Sequence, residues 1–250
     1  MKKKSKIWLI LLFLVLAVAL LFAGLYVWQQ MTQKTPDEIL IQERLDTQEA
    51  YDTLLKESLL DRNRYEKIVV INPAHGGSDI GYRNDYGTEK EITLSIAQKV
   101  QENNTDSNTG IFLTRADDTS PDESMRLEFI QKMQPDLFID IHVKRQGTEC
   151  GTAVYYSTHY YDNLLTNATF ADIMEKNVVT AVEGCAEGIF EDTQKAYPIL
   201  SELSIPAVGL QCGNLSNETE GVLLTRENYQ SNMADGILDA IYEALDRLEQ

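Results

Sequence analysis

Three cysteines in 250 residues are too few to build a fold from disulfides. None is spaced Cys-x-x-Cys, which removes a zinc ribbon and a thioredoxin-type motif. The odd number leaves at least one of Cys150, Cys185 and Cys212 without an intramolecular partner, and spacing alone pairs none of them. Basic residues are scarce as well: 22 Lys plus Arg face 39 Asp plus Glu, a formal charge of −17. Four of those lysines stand in the first six residues, so beyond residue 28 the balance is 18 against 39. A body that negative repels phosphate backbones, whose binders need clustered Lys and Arg to displace counterions. Nucleic acid is excluded as a partner. Internal repeats and low-complexity tracts are absent too. With 43% apolar and 24% charged residues the chain has the balance of a globular protein, not of a disordered one.

Charge is missing altogether from residues 7–28. Those 22 residues are about the length of a helix that crosses a hydrocarbon core. Lys2, Lys3, Lys4 and Lys6 precede the run and acids dominate after it, which keeps the tail in the cytoplasm and places the rest outside. The rival is a cleaved signal peptide, for which Ala17-Val18-Ala19 resembles a cleavage site. The apolar run continues well past that site, and no Cys follows it to carry a lipid, so an uncleaved single-pass membrane anchor is expected. Residues 31–64 contain no Gly, open a helix at Pro36-Asp37-Glu38, and carry Ile41, Leu45, Tyr51, Leu55 and Leu59 in a rough helical stripe. This stretch is expected to be a spacer helix; the heptads are not sustained enough for a coiled coil. The expected division is 1–28 anchor, 29–66 extracytoplasmic spacer and 67–250 globular domain.

From residue 67 the texture alternates. Short β-branched runs at 67–72, 110–114, 136–142, 152–156 and 206–211 read as strands. Apolar residues at helical spacing mark helices over 91–102, 122–133, 170–184 and 228–248. Alternation of this kind predicts a layered α/β domain with a largely parallel central sheet flanked by helices. Ligands gather at the carboxyl ends of such strands. His75 follows the first strand, His142 ends the third, and Glu89 stands just ahead of the first helix of the domain. Two imidazoles and a carboxylate with one open position form the ligand set of hydrolytic zinc. A lone His at a strand end is more commonly a hydrogen-bonded structural residue, so this pattern by itself is weak.

The words around those residues resemble a known family. Asn72-Pro73-Ala74-His75-Gly76-Gly77 followed by Asp79 and Gly81 is similar to the opening signature of zinc-dependent N-acetylmuramoyl-L-alanine amidases of the type 3 family. The segment 88–97 looks like its second block, whose first Glu is a zinc ligand, here Glu89. Residues 113–118, Arg126, the strand 136–142 ending at His142, and 205–217 fall in the family's order. The resemblance covers residues 67–248. It implies zinc held by His75, Glu89 and His142, peptidoglycan as partner, and hydrolysis of the amide between the lactyl group of N-acetylmuramic acid and L-alanine. Two partners are thus expected, peptidoglycan and, through the amino-terminal helix, the cytoplasmic membrane.

One departure touches the chemistry. Where the family carries a catalytic Glu in its closing block, this sequence reads Gln211-Cys212-Gly213-Asn214. Gln is nearly isosteric with Glu but accepts no proton. Loss of general-base help costs about 10²–10⁴-fold. Asn72 for Asp, Ala74 for Gly, Asp140 for Ser and Lys144 for Asn are smaller departures. Two readings follow: a working amidase in which Asp79, Asp140, Glu149, Glu218 or Glu220 takes over proton transfer, or a zinc-holding pseudoamidase that binds wall material or regulates. A metal-free, membrane-anchored structural protein is the third. Tyr155, Tyr156, Tyr160 and Tyr161 are available to stack on sugars, His159 is read as a surface residue, and Cys212 as a small buried one.

Overall fold

The computed structural model describes residues 13–26, 28, 34–144, 147–159 and 164–249. The chain divides into two compact units, Met1–Glu43 and Arg44–Gln250. In the first, residues 13–26 are helical with their apolar side chains exposed. The expected membrane span lies partly outside the described residues. Among the described residues no helix is long and apolar enough to cross a membrane.

The second unit holds one six-stranded sheet: β1 (Lys67–Pro73), β2 (Thr109–Leu113), β3 (Leu137–Lys144), β4 (Thr152–Tyr156), β5 (Ala186–Glu191) and β6 (Ala207–Asn214). Their order is β2-β1-β3-β6-β4-β5, and every neighbouring pair is parallel except β4 with β6. The helices are α1 (Pro36–Arg62), α2 (Glu89–Asn103), α3 (Glu123–Met133), α4 (Asn167–Val182), α5 (Pro198–Glu202), α6 (Glu218–Leu223) and α7 (Glu227–Leu248). Strand side chains alternate between faces. On β1, Val69 and Ile71 join a core formed with Ile92 and Ile96 of α2, Phe170 of α4 and Ile237 of α7. Ile68 and Val70 join the opposite core, with Phe129 and Met133 of α3 and Ile199 of α5. This is the layered α/β domain with a largely parallel sheet that the alternation predicts.

Three features go beyond the sequence reading. The later turns of α1 bury Tyr51 and Leu55, one helical turn apart, in the core that holds Phe129 and Phe112, so the compact unit Arg44–Gln250 takes in the second half of the expected spacer. β5 escapes prediction because Ala-Glu-Gly-Ile-Phe-Glu is short, carries a central Gly and leaves Ile189 and Phe190 exposed at the sheet edge. Cys150 and Cys185 form a disulfide that ties the segment before β4 to the segment before β5, while Cys212 stays free and buried. Burial pushes the Cys212 thiol well above its ordinary value, which makes it an unreactive core residue.

What matters for the site is the place where the winding reverses. β2 lies on one side of β1 and β3 on the other. Adjacent parallel strands whose connections leave in opposite directions open a crevice at their carboxyl ends. His75 leaves β1 there, and His142 sits near the end of β3.

Candidate metal centre and active site

His75 stands in the left-handed region, at φ 62°, immediately before Gly76 and Gly77. A non-glycine residue is rare there and needs surrounding structure to hold it. Two buried arginines supply that structure by capturing carbonyls of the turn. Arg115 donates from Nε to Pro73 O at 3.0 Å and from Nη2 to Ala74 O at 3.0 Å and Lys90 O at 2.8 Å. Arg126 donates to Pro73 O at 3.1 Å and to His75 O at 2.8 Å. Carbonyls that no sheet neighbour could satisfy are thereby paired, and the imidazole is fixed toward the crevice.

Glu89 is the first residue of α2 and is fully buried. A helix amino terminus favours a carboxylate. The Tyr82 N–H donates to its Oε2 at 2.9 Å, and the Val143 N–H to its Oε1 at 3.3 Å. Gly81, at φ +64°, lets the intervening loop pass close by. A Cβ there would stand 2.5 Å from His75 Cδ2 and 2.7 Å from Glu89 Oε2. Only glycine fits.

The three expected ligands converge. One donor atom from each of His75, Glu89 and His142 lies within 4.8 Å of the others. His75 Nε2 is 3.2 Å from Glu89 Oε2, and His142 Nδ1 is 3.4 Å from Glu89 Oε1. His75 Nε2 is buried and makes no well-formed hydrogen bond, as a nitrogen kept for a cation does. The outer nitrogens are taken by other carboxylates: Asp79 Oδ2 is 2.8 Å from His75 Nδ1, and Asp140 Oδ1 is 3.2 Å from His142 Nε2. Two inward nitrogens and a carboxylate, each braced from behind, fit a zinc ion with an open coordination position. Burial opposes the Glu89 charge, but His142 and His75 hold its carboxyl well below the ordinary range. Burial also works against a charged His142, yet Asp140 and Glu89 outweigh it and the imidazole is pushed up to about 9. His75 is raised for the same reasons, burial being overcome by Glu89 and Asp79.

A cavity of about 400 Å³ opens over this cluster. His75, Asp79, Asp140 and His142 line it, together with Asp122, Glu123, Ala196 and Ile199. Of the carboxylates proposed from sequence as proton acceptors, only Asp79 and Asp140 reach it among the described residues. Glu149 and Glu218 are exposed elsewhere. Glu220 is buried and accepts the N–H groups of Gly151 and Asn214.

Gln211 of β6 pairs in register with His142 of β3. Its side chain hydrogen-bonds the hydroxyl of Tyr197. Tyr197 is buried, lies edge-on to the His142 ring at 4.9 Å, and fills the space over Gly209, where a Cβ would come within 2.5 Å of its ring. Burial raises its hydroxyl well above the ordinary value, so it remains neutral. Sequence reasoning missed Tyr197, because nothing in the chain links it to a histidine 55 positions earlier. Gly209, a glycine within a strand pattern, is the one signal that a ring or backbone approaches closely there.

Other expected residues stay outside the cluster. Tyr155 packs its ring against Tyr197 at 5.1 Å and Phe190 at 5.5 Å, Tyr156 lies against the core, and Tyr160 and Tyr161 are outside the described residues. His159 is exposed and contributes no ligand.

The sequence model of the N-acetylmuramoyl-L-alanine amidases matches residues 69–243, which carry all three converging side chains. The chain belongs to this family. This amidase superposes on the catalytic domain of CwlV, an N-acetylmuramoyl-L-alanine amidase from Bacillus (Paenibacillus) polymyxa var. colistinus, with a TM-score of 0.64 and 31% identity. The match covers 72% of this chain and 98% of that one. The germination-specific N-acetylmuramoyl-L-alanine amidase of Bacillus subtilis (strain 168) is 24% identical over 193 residues, 70% of this chain and 78% of the relative. The CwlD amidase from Clostridioides difficile, solved with the GerS lipoprotein, is 25% identical with a TM-score of 0.60, over 72% of this amidase and 98% of that chain. A cell-wall amidase of mixed α/β fold is therefore what this chain is.

Proposed function

We propose that this amidase is zinc-dependent, with His75, Glu89 and His142 as ligands and the lactyl–L-alanine amide of peptidoglycan as substrate. The observation that carries the reading is the convergence of those three donors beside a cavity that His75 and His142 line, at the switch of the sheet. Zinc held by such a set supplies Lewis acidity to an amide carbonyl and to water. The protein's own residues do the rest. Arg115 and Arg126 fix the loop bearing His75, Glu89 anchors both imidazoles to the start of α2, and Tyr197 seats the His142 ring.

Proton transfer is where this chain differs from its relatives. Gln211 occupies the position of the family's catalytic Glu and holds the Tyr197 hydroxyl by a hydrogen bond. Neither an amide nor a phenol of raised pKa takes up a proton near neutral pH. In the working enzyme, Asp79 or Asp140 then serves as acceptor, because both line the cavity. A second reading is favoured by the same observation: a pseudoamidase that binds wall material or regulates, with a neutral corner where the acid would stand.

The division into anchor (1–28), spacer (29–66) and amidase domain (67–250) belongs to this proposal, with the spacer's second half packed onto the domain it carries. An uncharged run of 22 residues behind four lysines supports a single-pass anchor with the domain outside the cytoplasmic membrane. Protease added to wall-less cells should then remove the globular domain; protection would refute the anchor. The GerS complex of CwlD makes a lipoprotein partner a further possibility to test by co-purification.

The deciding experiment uses the full chain. Elemental analysis should give about one zinc per chain, and peptidoglycan should release muropeptides with a free L-alanine amino terminus. A folded protein that takes up no zinc sinks the metal reading. Zinc binding with muropeptide capture but no release establishes the pseudoamidase.

A further inference from the structure

Asp140 and His142 lie two residues apart on β3, so their side chains share one face of the sheet. Asp140 Oδ1 is 3.2 Å from His142 Nε2. An imidazole has two nitrogens, and a carboxylate on Nε2 keeps a proton there and reserves Nδ1, which faces Glu89, for a cation. Asp140 is itself locked. It is buried, and the Asn72 amide donates to its Oδ1 at 2.6 Å. Register pairs Asn72 of β1 with Asp140 of β3, so the contact is built into the sheet. Asn72 cannot rotate away, because its Oδ1 accepts from both Arg126 and the Thr114 hydroxyl. A chain thus runs from the buried side chains of Arg126 and Thr114 through Asn72 and Asp140 to His142.

His75 is braced differently. Its outer carboxylate, Asp79, is 60% exposed on a loop, whereas the side chain of Asp140 is 5% exposed. The two imidazoles also present opposite nitrogens inward, Nε2 from His75 and Nδ1 from His142. A buried carboxylate is costly unless it is paired and hydrogen-bonded. Here it is both.

We propose that Asp140 is the positioning residue for His142, selecting the tautomer and ring orientation that present Nδ1 to the cation, with Asn72 as the amide that locks it. The inference rests on the metal centre proposed above. Its test is zinc affinity of the purified full chain by chelator competition, together with the visible spectrum of the cobalt-substituted protein. Asp140→Asn should weaken zinc by about 10–100-fold and shift the cobalt bands. The exchange Asn72→Asp with Asp140→Asn keeps a carboxylate–amide pair between β1 and β3 but moves the charge away from His142. It should fold like the parent without zinc, and still show the weakened affinity and the shifted bands. Parental zinc affinity in Asp140→Asn, or its recovery in the exchange, overturns the role of Asp140 and leaves the zinc site standing. A parent chain that binds no zinc overturns both.

Discussion

The two halves of the site stand on neighbouring strands and have opposite character. At the ends of β1 and β3 and the start of α2, three donors converge; Asp79 and Asp140 brace the two imidazoles, arginines hold the His75 loop, and backbone N–H groups hold Glu89. On β6, at the register position next to His142, the amide of Gln211 meets the neutral phenol of Tyr197, where the family resemblance leads one to expect an acid. On the reading proposed above, the first half would hold a cation, while the second offers an amide and a phenol, neither of which takes up a proton near neutral pH. On that reading metal binding and proton transfer are separable demands on one crevice, because they draw on different strands.

Removing a donor should break the first half outright. His142→Ala deletes one ligand and leaves Asp140 without its imidazole, so zinc content should fall to near zero and muropeptide release to background. A variant that keeps parental zinc would place the metal elsewhere. The second half should respond in the opposite direction. Gln211→Glu restores a proton acceptor at nearly unchanged shape, with the Tyr197 hydroxyl in place to donate to the new carboxylate. Amidase activity on purified peptidoglycan should rise on the order of 10²-fold if no cavity carboxylate has taken over. Little change, with an efficient parent, points to Asp79 or Asp140 as the working base.

Proton competition sharpens the contrast further. His142 is raised to about 9 from an ordinary value near 6.5, by Asp140 and Glu89 acting against burial. In the zinc-free protein, its contribution to stability is therefore fully present below about pH 6.5 and lost as pH rises through about 9. Zinc requires the neutral ring, so between those limits zinc uptake releases a proton. Apparent affinity should climb about tenfold per pH unit for each proton displaced, and level off above about pH 9. Affinity that is flat from pH 6 to 9 would show that zinc displaces no proton from a raised His142.

Much of this was legible in the sequence, and the reasons are physical. The period-2 and 3.6-residue patterns gave the main strands and helices, since a sheet covered on both faces needs apolar residues at each. The ligand positions followed from strand ends and the surrounding motifs. Three things were not legible. The docking of the later turns of α1 depends on Tyr51 and Leu55 finding a partner surface, and a helical stripe does not say what it packs on. The bracing of His142 depends on strand register, which sets Asn72 beside Asp140 and carries no local signature. Tyr197 reaches the site only because α5 packs over Gly209.

The smallest expected effect belongs to that tyrosine and tests whether the two halves communicate. Tyr197→Phe keeps the ring that fills the space over Gly209 and lies against His142, and removes only the hydroxyl. Zinc affinity should be unchanged, because the ring does the seating. In the parent, a neutral hydrogen bond to Gln211 is lost, worth about 0.5–1.5 kcal/mol of stability in a denaturant titration. In the Gln211→Glu background the same deletion removes a donor to a carboxylate, a bond of about 1.5–3 kcal/mol. It should therefore cost more there, and should lower the activity gained by the glutamate. The double-mutant cycle reads the difference directly. A cycle that closes to zero would mean that the hydroxyl ignores position 211, and the neutral corner would then be two independent side chains instead of one interacting pair.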